Sequence, residues 1–271
     1  MPMEKEKDIA IAAARAAGDI IRQIYATDYS VDYKSHDNSP VTIADREANQ
    51  KIQEMLLGAC PDYGWLSEET VDSSDRLASR RVWVVDPMDG TQEFIQKIPE
   101  FAVSIGLVED GQPILGVVYN PILDQLFWAV RGQGAWCGEQ QLRVPETPRL
   151  AEATILSSRS ETKRGEWKDL SALFHARPMG SIAYKLACIV NGEADASFTL
   201  VPKNEWDICA GTLLVEEAGG TVTNLRGKPV IFNQPTTLLQ GLVASNGNLH
   251  AQLLALIRPR LTDRHRAEDR Q

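Results

Sequence analysis

Val82-Trp83-Val84-Val85-Asp86-Pro87-Met88-Asp89-Gly90-Thr91-Gln92-Glu93-Phe94 is the stretch from which the rest of the chain is read. Its apolar opening, Val82 to Val85, predicts a strand. The strand ends at a carboxylate, and Asp86 and Asp89 stand three positions apart with the rigid Pro87 between them. Gly90-Thr91 follows at once and marks a tight turn. Two acids at a strand end suit a hard divalent cation. Mg²⁺ takes oxygen ligands at about 2.0–2.1 Å, shared among carboxylates, waters and substrate phosphate. The Gly90-Thr91 step leaves backbone N–H groups to face an anion. The stretch therefore points to metal-assisted phosphate chemistry.

Working outward, Ala102–Val108, Ile114–Tyr119 and Gln125–Val130 read as further strands, separated by turn signals at Asp110-Gly111 and Pro121. Asp110-Gly111 predicts a hairpin, and four closely spaced strands after two helices predict a largely antiparallel sheet covered by helices. Those helices are residues 4–25, with Ile9, Ala13, Ala16, Ile20 and Ile24 on one face, and Thr42–Leu57, after a loop at Asn38-Ser39-Pro40. In the second half, Thr154–Ser157, Ala196–Leu200, Thr221–Thr223 and Leu239–Ala244 read as strands. Ile182–Asn191, Asp207–Ala218 and His250–Ile257 read as helices, the second of them stopped by Gly219-Gly220. The fold class is α/β with mixed helix and sheet layers. The tail from Arg258 alternates acid and base and is expected to fray.

The 271 residues are 43% hydrophobic and 24% charged, and the net charge is −9. An acidic chain offers no broad basic face, so a nucleic-acid polymer is not the expected partner. Metal ions would supply the positive charge that a phosphate substrate needs. Cys60, Cys137, Cys188 and Cys209 lie far apart with no CxxC pair, which argues against zinc and against a disulfide scaffold. Reduced thiols, no apolar run near the ~20 residues that cross a bilayer, and an N-terminus without a signal peptide's apolar centre predict a cytoplasmic protein off the membrane.

Three more acidic sites have the look of ligands or bases. Glu68 and Glu69 follow the apolar Trp65-Leu66, so one glutamate should project from a strand end. Asp207, in Trp206-Asp207, is expected at a helix N-cap, where acids are favoured. Asp45 lies on the second helix. Taken singly, each is also an ordinary solvated acid or cap; the argument rests on the set.

Ser67-Glu68-Glu69, Asp86-Pro87-Met88-Asp89-Gly90-Thr91 and Trp206-Asp207-Ile208-Cys209-Ala210-Gly211 resemble, in order and spacing, the signature motifs of the inositol monophosphatase superfamily, lithium-sensitive Mg²⁺-dependent phosphomonoesterases. The resemblance spans residues 4 to 257. It implies an α-β-α-β-α layered fold acting as one unit (residues 1–271), with an N-terminal half to about residue 150, a C-terminal half over 151–257 and a charged tail over 258–271. It further implies that Glu68, Asp86, Asp89, Asp207 and the main-chain carbonyl of Met88 ligate metal. Asp45 and Thr91 would orient and help deprotonate the attacking water, and Gly90 and Thr91 would offer N–H groups to the phosphate. About two or three Mg²⁺ ions would clamp the oxygens of an in-line displacement, with no covalent phospho-enzyme. Superfamily members include monomers and dimers, so a homodimer stands as an expectation, as does inhibition by Li⁺.

Within the superfamily, Glu93-Phe94-Ile95 after Asp-Gly-Thr is similar to the 3′(2′),5′-bisphosphate nucleotidase branch, where inositol-specific members more often carry asparagine. Phe101–Gly106, Pro113–Pro121 and Ser157–Ser160 also look like that branch, whereas Gln92 departs from its usual lysine. The implied substrate is adenosine 3′,5′-bisphosphate, with an inositol phosphate or a sugar bisphosphate as alternatives. A second phosphate needs a second anion site, for which Ser158, Arg159, Gly180, Ser181 and Lys185 are the candidates. Three other readings fit less well. The haloacid-dehalogenase type needs Asp-x-Asp, a two-carboxylate glycosidase gives no reason for Asp-Gly-Thr, and a non-catalytic metal-binding relative would not need both Asp45 and Thr91.

Overall fold

Ala10, Ala13, Ala14, Ala17 and Ile21 recur at three- and four-residue steps and form the buried face of the first helix, α1 (Glu4–Tyr25). The computed structural model describes residues 3–35, 39–170 and 172–261. A hairpin of β1 (Val31–Tyr33) and β2 (Pro40–Thr42) leads into α2 (Ile43–Ala59), which packs beside α1. Next come β3 (Gly64–Ser67), β4 (Arg81–Asp89), the short α3 (Thr91–Ile95), β5 (Ala102–Glu109), β6 (Gln112–Asn120), β7 (Gln125–Val130), β8 (Ala135–Cys137) and β9 (Gln140–Leu142). These seven strands form one sheet in sequential order, with β3 parallel to β4 and every later pair antiparallel. Strand alternation divides β4 between two cores: Trp83 and Val85 face α1 and α2, and Val82 and Val84 face the other way.

The second half supplies β10 (Thr154–Ser158), α4 (Arg159–Lys163), β11 (His175–Met179), α5 (Ile182–Val190), β12 (Ala196–Thr199), β13 (Lys203–Asn204), α6 (Glu205–Glu217), β14 (Thr221–Thr223), β15 (Leu238–Leu239), β16 (Leu242–Ser245) and α7 (His250–Ile257). A mixed sheet runs β11-β10-β12-β16-β14. Helices α5 and α6 lie between the two sheets. Leu186, Ile208 and Leu213 join Val84, Val118 and Phe127 on one side and Leu156, Val222 and Ala244 on the other. All nine residues of α5 are buried, as a helix packed on both faces requires. Helix α7 covers the outer face with Leu253 and Ile257 against Phe198 and Val243. The layers are α-β-α-β-α, as the sequence motifs implied.

Helix α6 sits unusually close to the first sheet because glycines face it. A Cβ on Gly106 would lie 2.5 Å from Cys209 Sγ, and one on Gly116 would lie 2.6 Å from the Ala210 carbonyl oxygen. Ser104 Oγ also donates to the Trp206 carbonyl at 3.1 Å. These contacts bring the first turn of α6 to the ends of β4 and β5.

Several elements differ from the sequence reading. Helix α6 starts at Glu205, two residues early, with Asn204 as its N-cap, so Asp207 is not the cap. Leu239–Ala244 is two strands: Gly241, at φ +148, breaks it, and Leu238–Leu239 pairs with Lys203–Asn204 while Leu242–Ser245 joins the larger sheet. The hairpins β1–β2 and β8–β9 and the edge strand β11 carry no clear alternation and were not anticipated. Arg258–Arg260 forms a short 3₁₀ turn, and the charged tail from residue 262 onward, like Asn38, lies outside the described residues. Asp110-Gly111 does close the β5–β6 hairpin, both residues at positive φ.

Gly116→Ala should push α6 off the sheet and destabilise the fold by about 1–3 kcal/mol. Gly58→Ala, in a helix with open space around the new methyl, should stabilise by about 0.5–1 kcal/mol. Denaturant unfolding of both variants reads the difference, and equal stabilities would refute the close-packing account.

Candidate metal centre

Glu68 follows the last residue of β3, and Asp86 and Asp89 lie at the end of β4, which is parallel to it. The end of β4 is bulged. Asp86 pairs with Ser104 and Asp89 with Ala102, so three steps on one strand face two on the other. Such a bulge re-aims side chains and accommodates Pro87, which has no N–H for the ladder. The Asp86 side chain accepts the freed Met88 N–H at 2.9 Å. Gly90, at φ +103, then turns the chain into α3.

Two further acids come from helix starts of the same design. In α2, Asp45 completes a capping box: its Oδ2 accepts from the Thr42 N–H and the Thr42 hydroxyl, each at 2.7 Å. In α6, Asp207 Oδ2 accepts from the Asn204 N–H at 3.0 Å. In each case one oxygen is committed to the cap and the other is left to the site.

Carboxylate oxygens of Glu68, Asp86 and Asp207 lie within 4.8 Å of one another. Asp89 stands beside them, with Oδ2 accepting from the Ser181 hydroxyl and the Ala183 N–H at 2.7 Å each. Loss of water and mutual repulsion raise the cluster's protonation. Asp86 is held well above the usual carboxylate range by burial and then by Glu68, Asp89 and Asp207. Asp207 is raised by desolvation and then by Asp89, and Glu68 by desolvation, partly offset by Lys34. Three convergent hard oxygen donors that repel one another are what a divalent cation neutralises, so the donor set fits Mg²⁺. The Met88 carbonyl, expected as a further ligand, faces the Thr91 hydroxyl at 3.3 Å.

Asp45 and Thr91 meet. The Thr91 hydroxyl donates to Asp45 Oδ1 at 2.9 Å, and Asp45, only 2% exposed, is raised to about 6 by burial. This acid, ordinary in sequence, is thus buried beside the cluster.

The proposed second anion site is less open than the sequence suggested. The Gly180 N–H donates to Glu100 at 2.8 Å, the Ala183 N–H to Asp89, and the Tyr184 N–H to Ser181 Oγ at 3.0 Å. The start of α5 is therefore already answered by protein oxygens. Arg159 pairs with Glu100 and lies 3.9 Å from Glu93, while Ser158 caps α4. Lys185 is buried, and burial and then Lys203 lower it to about 8.

Two contributors were missed. Lys34 pairs with Glu68 at 2.7 Å and Glu69 at 2.6 Å, and Glu100 holds Arg159 and Gly180 together. Each is a lone charge in a loop with no periodicity to mark it. Beside Glu68 and Glu69, a cavity of about 430 Å³ is lined by Tyr33, Arg46, Val71 and Trp206 among others.

The Inositol monophosphatase family model matches residues 3–262. The chain is 38% identical over 232 residues to an inositol-1-monophosphatase of Caulobacter vibrioides, a match covering 80% of this chain and 87% of the relative. It is 36% identical over 231 residues to the 3′(2′),5′-bisphosphate nucleotidase CysQ of Shigella flexneri, covering 83% and 93%. The crystal structure of the extragenic suppressor protein suhB from Bartonella henselae superposes with a TM-score of 0.80 at 33% identity, covering 92% of this chain and 96% of that one. The chain belongs to the inositol monophosphatase family. It is a metal-dependent phosphomonoesterase acting on a small phosphorylated substrate. Among the described residues, no helix is long and apolar enough to cross a membrane.

Carboxyls raised on folding leave the folded state unpenalised below about pH 4 and penalise it as pH rises through their folded values, about 6 for Asp45 and well above the usual carboxylate range for Asp86 and Asp207. The metal-free protein should therefore lose stability between mildly acidic and neutral pH. Mg²⁺ at a hundred times its Kd should restore about 2.7 kcal/mol, and the rise in Tm should be larger near neutrality than near pH 5. A Tm indifferent to Mg²⁺ at neutral pH would sink this account.

Proposed function

We propose that the chain is a Mg²⁺-dependent 3′-phosphatase of adenosine 3′,5′-bisphosphate, releasing AMP and phosphate, and that both halves work as one catalytic unit. Glu68, Asp86, Asp89, Asp207 and the Met88 carbonyl would hold the metal. A cation held there supplies Lewis acidity and neutralises charge on the phosphoryl oxygens. Asp45 Oδ2 is saturated by Thr42, so Oδ1 alone takes the Thr91 proton. The Thr91 oxygen is then free to accept a proton from the water attacking in line while its own passes to Asp45, and the departing ester oxygen takes its proton from solvent. Gly90 and Thr91 offer their N–H groups to the phosphate.

One observation carries the choice of a bisphosphate: Lys185 is buried near Lys203, and the two repel. A lysine is almost never buried without a charge to answer. A second phosphate would relieve that repulsion, although Asp89, Glu93 and Glu161 partly do so now. Arg159, Ser158 and the Gly180-Ser181 turn border the same side. The pairing of Arg159 with Glu100 and Glu93 favours the second reading, an inositol phosphate, because it leaves that cation already neutralised.

Phosphate release from adenosine 3′,5′-bisphosphate, inositol 1-phosphate and fructose 1,6-bisphosphate separates these readings. A preference for the nucleotide of a hundredfold or more, about 2.7 kcal/mol, is expected. A preference for inositol 1-phosphate would overturn the substrate while leaving the metal chemistry standing. Asp45→Asn and Thr91→Val should each lower kcat by about 10²–10⁴ with Mg²⁺ binding retained. Millimolar Li⁺ is expected to inhibit; full activity in its presence would count against the assigned ligands.

A further inference from the structure

We infer that Asn49 is a positioning residue that holds the Glu68-Glu69 turn in its cation-binding arrangement. Asn49 lies on α2 four residues after Asp45, hence on the same helix face, and is 7% exposed. Its carboxamide reads both sides of the glutamate pair. Oδ1 accepts from the Ser67 hydroxyl at 2.6 Å, and Nδ2 donates to Thr70 Oγ1 at 3.1 Å. Thr70 Oγ1 also accepts from Trp65 Nε1 at 3.2 Å, and Ser67 Oγ accepts from the Glu69 N–H at 3.4 Å. The residues immediately before and after Glu68-Glu69 are thus tied through one buried side chain to the helix that carries Asp45.

The turn needs such a tie. Glu68 is pressed against Asp86 and Asp207 and is repelled by Glu69 and Asp89. Two main-chain bonds span the turn, Glu68 N–H to the Val85 carbonyl at 3.2 Å and Thr70 N–H to the Ser67 carbonyl at 3.4 Å. Without lateral bonds the turn would relax toward water and carry Glu68 out of reach of the other two acids. A carboxamide meets this need where a carboxylate does not: it donates and accepts at once and adds no negative charge. Groups that orient a ligating side chain typically change metal affinity by about 10–100-fold when removed.

The inference rests on the metal reading of the site, and calorimetric titration of Mg²⁺ into metal-stripped protein tests the two separately. Asn49→Leu should weaken Mg²⁺ binding about tenfold, raise the Mg²⁺ concentration needed for half-maximal activity to match, and leave kcat at saturating Mg²⁺ within about twofold. Ser67→Ala should weaken binding in the wild-type background and add little in the Asn49→Leu background, since the bond is already gone. Should Asn49→Leu fail to fold, Ser67→Ala and Thr70→Val carry the same test with Asn49 intact. Folded variants that bind Mg²⁺ with wild-type affinity would overturn the role of Asn49, even if their Tm fell. Wild-type protein that binds no Mg²⁺, with Glu68→Gln indistinguishable from it, would overturn the metal reading beneath it.

Discussion

Mutual repulsion among carboxylates is the constraint around which this structure is arranged. Asp45, Asp86, Asp89 and Asp207 each commit one oxygen to a main-chain N–H, from Thr42, Met88, Ala183 and Asn204 respectively, at 2.7–3.0 Å. Hydrogen bonds to charged groups contribute about 1.5–3 kcal/mol each, enough to hold an acid against its neighbours. Each backbone donor belongs to a helix start or a strand bulge, so the acids are fixed by secondary structure rather than by flexible side-chain partners. Glu68 differs. No main-chain N–H of another segment bonds its carboxylate among the described contacts, and Lys34 answers its charge instead.

The layered fold follows from the same demand. Acids on β3, β4, α2 and α6 can meet only if α6, from the second half of the chain, approaches the first sheet at its strand ends. Gly106 and Gly116 permit that approach by leaving no side chain between sheet and helix. The fully buried α5 lies beside it, packed between the two sheets. Exclusion of water then strengthens every charge interaction in the site, which is why Asp45, Glu68, Asp86 and Asp207 sit above their ordinary range and why a cation has so much to neutralise.

On the other bank, charge is balanced within the protein itself. Arg159 lies between Glu93 and Glu100, and Lys185 lies near Asp89, Glu93 and Glu161. Gly180 leaves room for the Glu93 carboxyl, which a Cβ there would strike at 2.3 Å.

The sequence alone determined the strand ending in Asp86-Pro87-Met88-Asp89-Gly90, the two long N-terminal helices and the Asp110-Gly111 hairpin, though not which face of the first helix is buried: Ile9, Ala16, Ile20 and Ile24 are only half-buried, and Ala10, Ala13, Ala14, Ala17 and Ile21 face the core. These are local, set by periodicity and turn chemistry within a few residues. The layered fold came with the sequence only through the resemblance of its three motifs to the inositol monophosphatase signatures. Tertiary structure decided what depends on distant partners. It made Asp207 the third residue of a capping box rather than a cap, buried Asp45 and closed the start of α5 with Asp89 and Glu100. It also brought in Lys34 and Asn49, which carry no pattern of their own. A capping box can be read from spacing; whether its free oxygen faces water or three other carboxylates is fixed only when sheets and helices pack, because burial and repulsion are properties of neighbours and not of sequence order.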